Sequence, residues 1–312
     1  MSELFTQAIL VSMFSATVRI AAPLLLVSIG ELVVQRAGIW FLGVEGSMLM
    51  AAFTAYFASV ASSSLYIGLL AGIVMGIAVH LSMAVAAVTL KINQFIIGLG
   101  INLLASGLTL FLYRESFKMF GGEVPTIRPF ETVALPGLSQ IPILGEILFN
   151  QHIFTYLAFA MVGVVWAFLY RTRYGLEIRA LGENPKALDT KGLSVSGRQY
   201  AALAFGGTMA GLAGAVLVLA LTDRFVPNMT NGRGWLAIVI IIAGNWKPLP
   251  ILLAVLVFAF LEAFQLQAQG IGFNIPYQLL LALPYIGAIV AMMGLRWRSE
   301  QPEYLGVPYH RE

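Results

Sequence analysis

GSMLMAAFTAYFASVASSSLYIGLLAGIVMGIAVHLSMAVAAVTL, residues Gly46 to Leu90, contains no Asp, Glu, Lys or Arg. About 20 predominantly apolar residues in a helix cross the hydrocarbon core of a bilayer, so this stretch is long enough for two crossings. Charge-free intervals of comparable kind run from Lys91 to Arg114, Glu146 to Arg171, Arg198 to Asp223 and Glu262 to Arg296. Across the 312 residues, 59% are apolar and 11% charged, and the mean hydropathy is +0.86. Soluble domains hold roughly 45–50% apolar and about 25% charged residues, and a soluble globule could not hide the excess. The fold class is therefore all-α: a polytopic transmembrane helix bundle of eight to ten spans, forming one domain over residues 1–312.

With Gly, Pro and charge as punctuation, the spans fall near residues 12–34, 40–60, 65–90, 95–113, 151–170, 198–222, 235–246, 249–268 and 276–295. The segment from Trp235 to Trp246 is too short for a full crossing unless it is a half-helix or runs into its neighbour.

Cysteine is absent, which excludes disulfides, thiolate metal sites and a cysteine nucleophile. The net charge of +3 and pI near 9.2 do not call for nucleic acid, because membrane proteins concentrate Lys and Arg in cytoplasmic loops for insertion reasons alone. The start, Met1 to Leu10, contains Glu3 and lacks the basic, cleavable character of a removable signal peptide. Six of the 18 Lys and Arg residues lie between Arg171 and Arg198, which predicts a cytoplasmic loop at 171–198, with the RWR of Arg296 to Arg298 on the same side. The loop 114–150 has more acids than bases up to Glu146, together with Pro125, Pro129, Pro136 and Pro142, and reads as irregular and extracytoplasmic.

The cytoplasmic loop holds YGLEIRALGENPKALDTKGL. Asn184 suits an N-cap, Pro185 the first helical position and Gly192 a terminator, so a two-turn helix is expected there. A helix this short is stable only when docked.

Five segments resemble a known family in order and spacing: RAGIWFLGVEGSMLMAAF (36–53), INQFIIGLGINLLASGLTLFL (92–112), RTRYGLEIRALGENPKALDTKG (171–192), GGTMAGLAGAVL (206–217) and MTNGRGWLAIVIIIAGNWKPLP (229–250). The chain is similar to the membrane permease subunits of bacterial ABC importers, in the branch that handles branched-chain amino acids, ribose-type sugars and nucleosides, and most similar to the nucleoside or simple-sugar subgroup. The resemblance implies an inner-membrane transport subunit that is not an enzyme and has no cofactor of its own, with ATP and Mg in a partner. It implies cytoplasmic ATPase subunits, a second and non-identical permease, an extracytoplasmic substrate-binding protein, a small polar solute and surrounding lipid, with no nucleic acid. It also implies that the helix from Pro185 is the coupling helix, fitting a groove on the ATPase. Gly182, Glu183, Asn184, Pro185, Lys186, Ala187, Leu188 and Asp189 are its candidate contacts, with Ala187 and Leu188 as an apolar ridge. No G-x-x-x-x-G-K-[ST] phosphate loop occurs in the chain, so energy must come from another polypeptide. Trp40, Phe41 and the bulky run Ile238 to Ile242 depart from the smaller residues of the family pattern.

GGTMAGLAGA carries small residues at four-residue spacing, Gly207, Gly211 and Ala215 beside Gly206, Ala210 and Gly214, which predicts close helix packing in lipid. Ionisable groups within or beside spans are Arg19, Glu31, Glu45 and Glu262. Glu31 and Arg36 bracket a span end and read as interfacial. Glu45, between Gly43 and Gly46, either lines a path or caps a broken helix. Arg19 is a candidate partner for Glu45 or Glu262. An echo between Arg36-Ala-Gly-Ile-Trp and Arg233-Gly-Trp suggests two related halves, with the solute passage between them, and nominates Trp40, Phe41, Glu45, Asn102, Trp235 and Asn245 as path residues. His80 and His152 are isolated and predict no metal site. A rival reading is an ion-coupled secondary transporter working through Glu45 and Glu262, with a sugar or a branched-chain amino acid as alternative solutes for the importer.

Overall fold

The computed structural model describes residues 7–119, 121–270, 277–294 and 300–310; the RWR segment lies outside them. The element order is α1 (Gln7–Arg36), α2 (Val44–Ser62), α3 (Leu65–Met83, prolonged by a π-helical turn at Ala84–Thr89), α4 (Gln94–Met119), β1 (Thr132–Ala134), α5 (Leu144–Leu148), β2 (Asn150–His152), α6 (Ile153–Arg171), α7 (Arg173–Glu183), α8 (Pro185–Asp189), α9 (Val195–Leu219), α10 (Arg233–Ala243), α11 (Pro248–Gly270) and α12 (Tyr277–Gly294). Seven of these helices are long and apolar enough to cross a membrane. Of the two alternatives left open for the short segment, the eleven-residue α10 is the half-helix, since it ends at Ala243 before α11 starts at Pro248, and α12 occupies the last expected span.

α1 and α9 form the centre of the bundle and are buried along most of their length, whereas α4 lies at the rim and exposes Leu99, Leu103 and Phe111. In lipid no hydrophobic force drives helices together, so close backbone approach through small side chains supplies much of the attraction. The small-residue stripe of α9 serves that purpose. A Cβ on Gly207 would stand 2.7 Å from the carbonyl oxygen of Gly76 in α3, and one on Gly214 would stand 2.2 Å from that of Met48 in α2. α3 answers with its own small stripe, Gly68, Gly72 and Gly76, whose added Cβ atoms would strike Ala55, Ala51 and Gly207.

The expected irregular loop at 114–150 is more ordered than its prolines suggest. α4 runs on to Met119, and β1 pairs antiparallel with β2 in the register Thr132↔His152 and Ala134↔Asn150. This ribbon is tied over one end of the bundle where the Ile127 N–H donates to the Asp223 carbonyl at 2.8 Å and the Phe130 N–H donates to that of Leu219 at 2.8 Å. The opposite end, called the base below, gathers the close of α1, the short helices α7 and α8, the start of α11 and residues 300–310.

The second helix begins at Val44 and not near residue 40. Gly38 sits at φ +82° and the chain from Ile39 to Gly43 is non-helical, so the segment climbs back from the base before α2 starts. The amphipathic helix α7 is absent from the expected elements: the Thr172 hydroxyl caps it by accepting the Gly175 N–H at 3.0 Å, and Ile178 and Leu181 face the bundle.

Candidate functional site: a docking helix and a polar cavity

At the base, α8 has the expected cap and first-turn proline but spans only the five residues Pro185–Asp189, shorter than the two turns expected. The Asn184 side chain accepts the Ala187 N–H at 3.3 Å, Pro185 occupies the first turn, and the chain keeps turning to Gly192 at φ +74°. Pro185 and Leu188 face the bundle, whereas Glu183, Asn184, Lys186 and Ala187 are exposed. The expected ridge of Ala187 and Leu188 is therefore reduced on the outer face to Ala187, because Leu188 is spent on holding the helix down. Gly182 is required by contact: a Cβ there would lie 2.4 Å from the Arg36 carbonyl oxygen and 3.1 Å from Pro302.

Residues 300–310 strap this region. The Tyr304 N–H donates to the Gly182 carbonyl at 2.8 Å, the Gly306 N–H to that of Gly38 at 3.0 Å, and the Tyr309 hydroxyl to Asp189 Oδ2 at 2.9 Å. Asn245, in a left-handed backbone conformation at the start of the α11 turn, accepts the Glu300 N–H at 2.7 Å. Lys247 pairs with Glu300 at 2.6 Å, and the bonded ammonium holds that carboxyl below its usual range.

Arg36 lies within this base. Its Nε and Nη2 donate to the Trp246 carbonyl at 3.1 and 2.8 Å, and its Nη1 stands 3.7 Å from Glu183. The Trp246 indole in turn donates to Gln35 Oε1 at 2.7 Å. With Glu31 1% and Arg36 6% exposed, both residues are enclosed by helices.

The second region lies at the other end of α10. At 1.5 Å per residue, eleven residues span about 16 Å, roughly half of a hydrocarbon core about 30 Å thick. Since Ala243 is at the base, Arg233 lies near mid-depth. There the start of α10 meets the start of α2. Glu45 Oε1 accepts the Gly232 N–H at 2.8 Å and Oε2 accepts the Gly234 N–H at 2.6 Å, so one carboxylate satisfies two unpaired donors and opposes the positive end of the α10 dipole. Asn102 of α4 does the complementary repair on α2, accepting the Gly46 N–H at 2.7 Å and donating to the Leu42 carbonyl at 2.8 Å. Broken backbone at membrane depth is tolerated because these side chains replace its missing partners.

Arg233 pairs with Glu262 of α11, and Arg19 bonds Gln151 at 3.4 Å. The suggested pairing of Arg19 with Glu45 or Glu262 is thus overturned. Beside the Arg233–Glu262 pair opens a cavity of about 480 Å³, bounded by α10, α11 and α12 and lined in part by Asn231, Gln265, Gln269 and Tyr285. The six nominated path residues do not gather around it. Trp40 stacks on Phe95, Phe41 is fully buried against His80, Glu45 and Asn102 satisfy helix starts, Trp235 is 39% exposed on α10, and Asn245 belongs to the base. The two arginines of the sequence echo occupy unlike positions, one ending α1 and the other beginning α10.

Sequence reasoning missed Arg233, Gln265 and Gln269. The signal was the spacing Glu262, Gln265, Gln269, which puts three polar side chains on one face of a largely apolar helix. Among the described residues no three His, Asp or Glu side chains gather as a metal site would require.

Residues 13–292 match the family described as branched-chain amino acid transport system, permease component. The chain is 39% identical over 266 residues to a provisionally named glucose ABC transporter permease protein of Haloferax volcanii, covering 83% of this chain and 78% of that one. It is 33% identical over 306 residues to the guanosine ABC transporter permease protein of Bacillus subtilis, covering 94% and 95%. To the nucleoside ABC transporter permease protein of Lactococcus lactis it is 29% identical over 299 residues, 93% of each chain. No solved structure matches it.

Proposed function

The chain belongs to the permease-component family of branched-chain amino acid transport systems, and from that premise we propose that it forms half of the translocation path of an ATP-driven importer whose solute is a nucleoside. It is a multi-pass protein of the inner (cell) membrane and a transport subunit, not an enzyme. Membership implies ATPase and substrate-binding partners in general. The finer reading adds two cytoplasmic ATPase subunits, which bring ATP and Mg, and a second, non-identical permease. It places the loop 171–198 in the cytoplasm and the ribbon over 114–150 outside.

The observation that carries this reading is α8: a capped helix held at the base on its Pro185 and Leu188 side and leaving Lys186 and Ala187 outward. It docks on the ATPase, and closure of the ATPase displaces it. Glu183, Asn184, Lys186, Ala187 and Asp189 supply the contacts, while Gly182, Pro185 and Leu188 hold the helix in place. Nucleoside is favoured over sugar by the near full-length likeness to the guanosine and nucleoside permeases, although the glucose-type relative is the more identical over a shorter span. Ion-coupled transport through Glu45 and Glu262 loses support from the geometry, which commits both carboxylates to protein partners.

The test is uptake in cells holding the complete transporter. Replacing Pro185, or converting Ala187→Asp, should abolish solute uptake and uncouple ATP hydrolysis while leaving the protein in the membrane. Uptake that survives ATP depletion with the ion gradient maintained would refute the importer reading.

A further inference from the structure

Glu262, Gln265 and Gln269 stand at i, i+3 and i+7 along α11 and so share one face of the helix, apart from Gln267, which bonds Ser12 of α1. Polar side chains within a span face the bundle interior or a water-filled cavity and mark a solute route, and these three face the cavity at the start of α10. Gln265 is 7% exposed, yet its amide makes no hydrogen bond to any other described residue. On the same face Gln269 Nε2 is buried with no hydrogen-bond partner among the described residues, which is costly, and both amide side chains line the cavity. The cavity, about 480 Å³, falls in the range of roughly 300–1,000 Å³ typical of ligand pockets.

Its electrostatics select the class of occupant. Arg233 and Glu262 neutralise each other, and the donors at the start of α10 are already taken by Glu45. Neither an anion nor a cation finds a free counter-charge there, and parting the pair would leave each charge without its partner. What is on offer is neutral: two amides able both to donate and to accept, and the ring of Tyr285, whose hydroxyl donates to the Asn231 carbonyl at 3.2 Å.

Resting on the permease reading above, we infer that this face is a solute-contacting station at mid-membrane, bonding a neutral nucleoside through Gln265 and Gln269 and rejecting its phosphorylated form. The amides meet ribose hydroxyls or the base edge, and the ion pair holds the wall of the station without being broken.

The chain has no cysteine, so Gln265→Cys carries its single thiol, and labelling in the complete transporter is read on this chain after the subunits are separated by electrophoresis. A membrane-impermeant maleimide should label Gln265→Cys, a saturating nucleoside should slow that labelling, and the nucleoside monophosphate should not. Gln265→Leu should lower the maximal uptake rate about tenfold, as expected for one lost hydrogen bond to the solute in transit. Gln265→Asn should recover part of the rate. If Gln265→Cys is inert in correctly inserted transporter, or no solute protects it, or Gln265→Leu transports normally, the station is refuted. If instead the wild type carries a sugar and no nucleoside, the nucleoside reading falls. The station then stands or falls on protection and Gln265→Leu uptake measured with that sugar.

Discussion

Glu45→Gln separates a capping carboxylate from a solute-binding one. In the structure its two oxygens accept the Gly232 and Gly234 N–H groups at 2.8 and 2.6 Å. Glutamine keeps one acceptor and turns an NH2 toward the other donor. One charge-assisted bond is lost, worth about 1.5–3 kcal/mol. The interaction of the negative charge with the α10 dipole goes as well, worth up to about 2 kcal/mol in partly buried geometry. Because these overlap, the expected loss is about 2–4 kcal/mol. Glu45→Ala bares both donors and should cost more, and Glu45→Asp, one methylene short of the reach, should fall between glutamine and wild type. The assay is thermal unfolding of the purified protein in detergent, followed through tryptophan emission, since Trp235 sits in the first turn of α10. The midpoint should fall in the order wild type, Asp, Gln, Ala, with uptake falling in parallel. A Glu45→Gln protein as stable as wild type but dead in transport would refute the capping account and return Glu45 to the solute path.

Gly182→Ala places a Cβ 2.4 Å from the Arg36 carbonyl oxygen, so the strap and α8 must shift; solute-stimulated ATP hydrolysis and uptake should separate while membrane abundance is kept. Gly207→Leu drives a side chain into the α3 backbone, where even a Cβ would lie 2.7 Å from the Gly76 carbonyl oxygen, and should abolish stable protein, whereas Gly163→Leu on α6, with open space around its Cα, should be tolerated; equal yields would dismiss the packing argument. The Glu300 carboxyl is held below its usual value by Lys247, so its contribution is fully present above the ordinary carboxylate pKa and is lost only as pH falls through the lowered one. Protection of residues 300–310 from protease should therefore be flat between about pH 6 and pH 8 and decline only in acid; a transition near neutrality would show that a different group ties the strap.

The long helices were legible because apolar runs between charges are a one-dimensional signal, and so was α8, where cap, proline and terminating glycine act locally. What was not legible is where the chain breaks at depth. Gly43 and Gly46 around Glu45 allowed a broken helix, but that α2 waits until Val44 depends on Gly38 turning left-handed and on Asn102, from α4, mending the gap. α7 escaped because its apolar face is short and flanked by charge, although Thr172 as cap and Ile178 with Leu181 at helical spacing could have revealed it. The path residues were sought among aromatics near a sequence echo. The polar stripe of α11 was passed over because Gln265 and Gln269 carry no charge, and Arg233 because it was read only as part of the sequence echo.

The base and the mid-membrane cavity are joined by one rigid piece, and the magnitudes say which contact moves it. Trp246 follows α10 directly, so whatever grips its carbonyl grips the base end of the half-helix whose other end lines the cavity. Arg36 touches both sides, but not equally. Its 3.7 Å approach to Glu183 involves a carboxylate that is more than half exposed, and such pairs contribute about 0–1 kcal/mol. Its two bonds to the Trp246 carbonyl are buried, and hydrogen bonds from a charged donor contribute about 1.5–3 kcal/mol. The link from α1 to α10 is therefore the strong one, and the link to Glu183 the weak one. Glu183→Gln should leave uptake close to wild type, whereas Arg36→Met should lower it severely, with the Trp246 carbonyl left buried and unsatisfied. Measured together, the two substitutions should show little coupling. A double mutant no worse than Glu183→Gln alone would mean that Arg36 acts only through the carboxylate, and that α10 is not held from the base in the way these distances require.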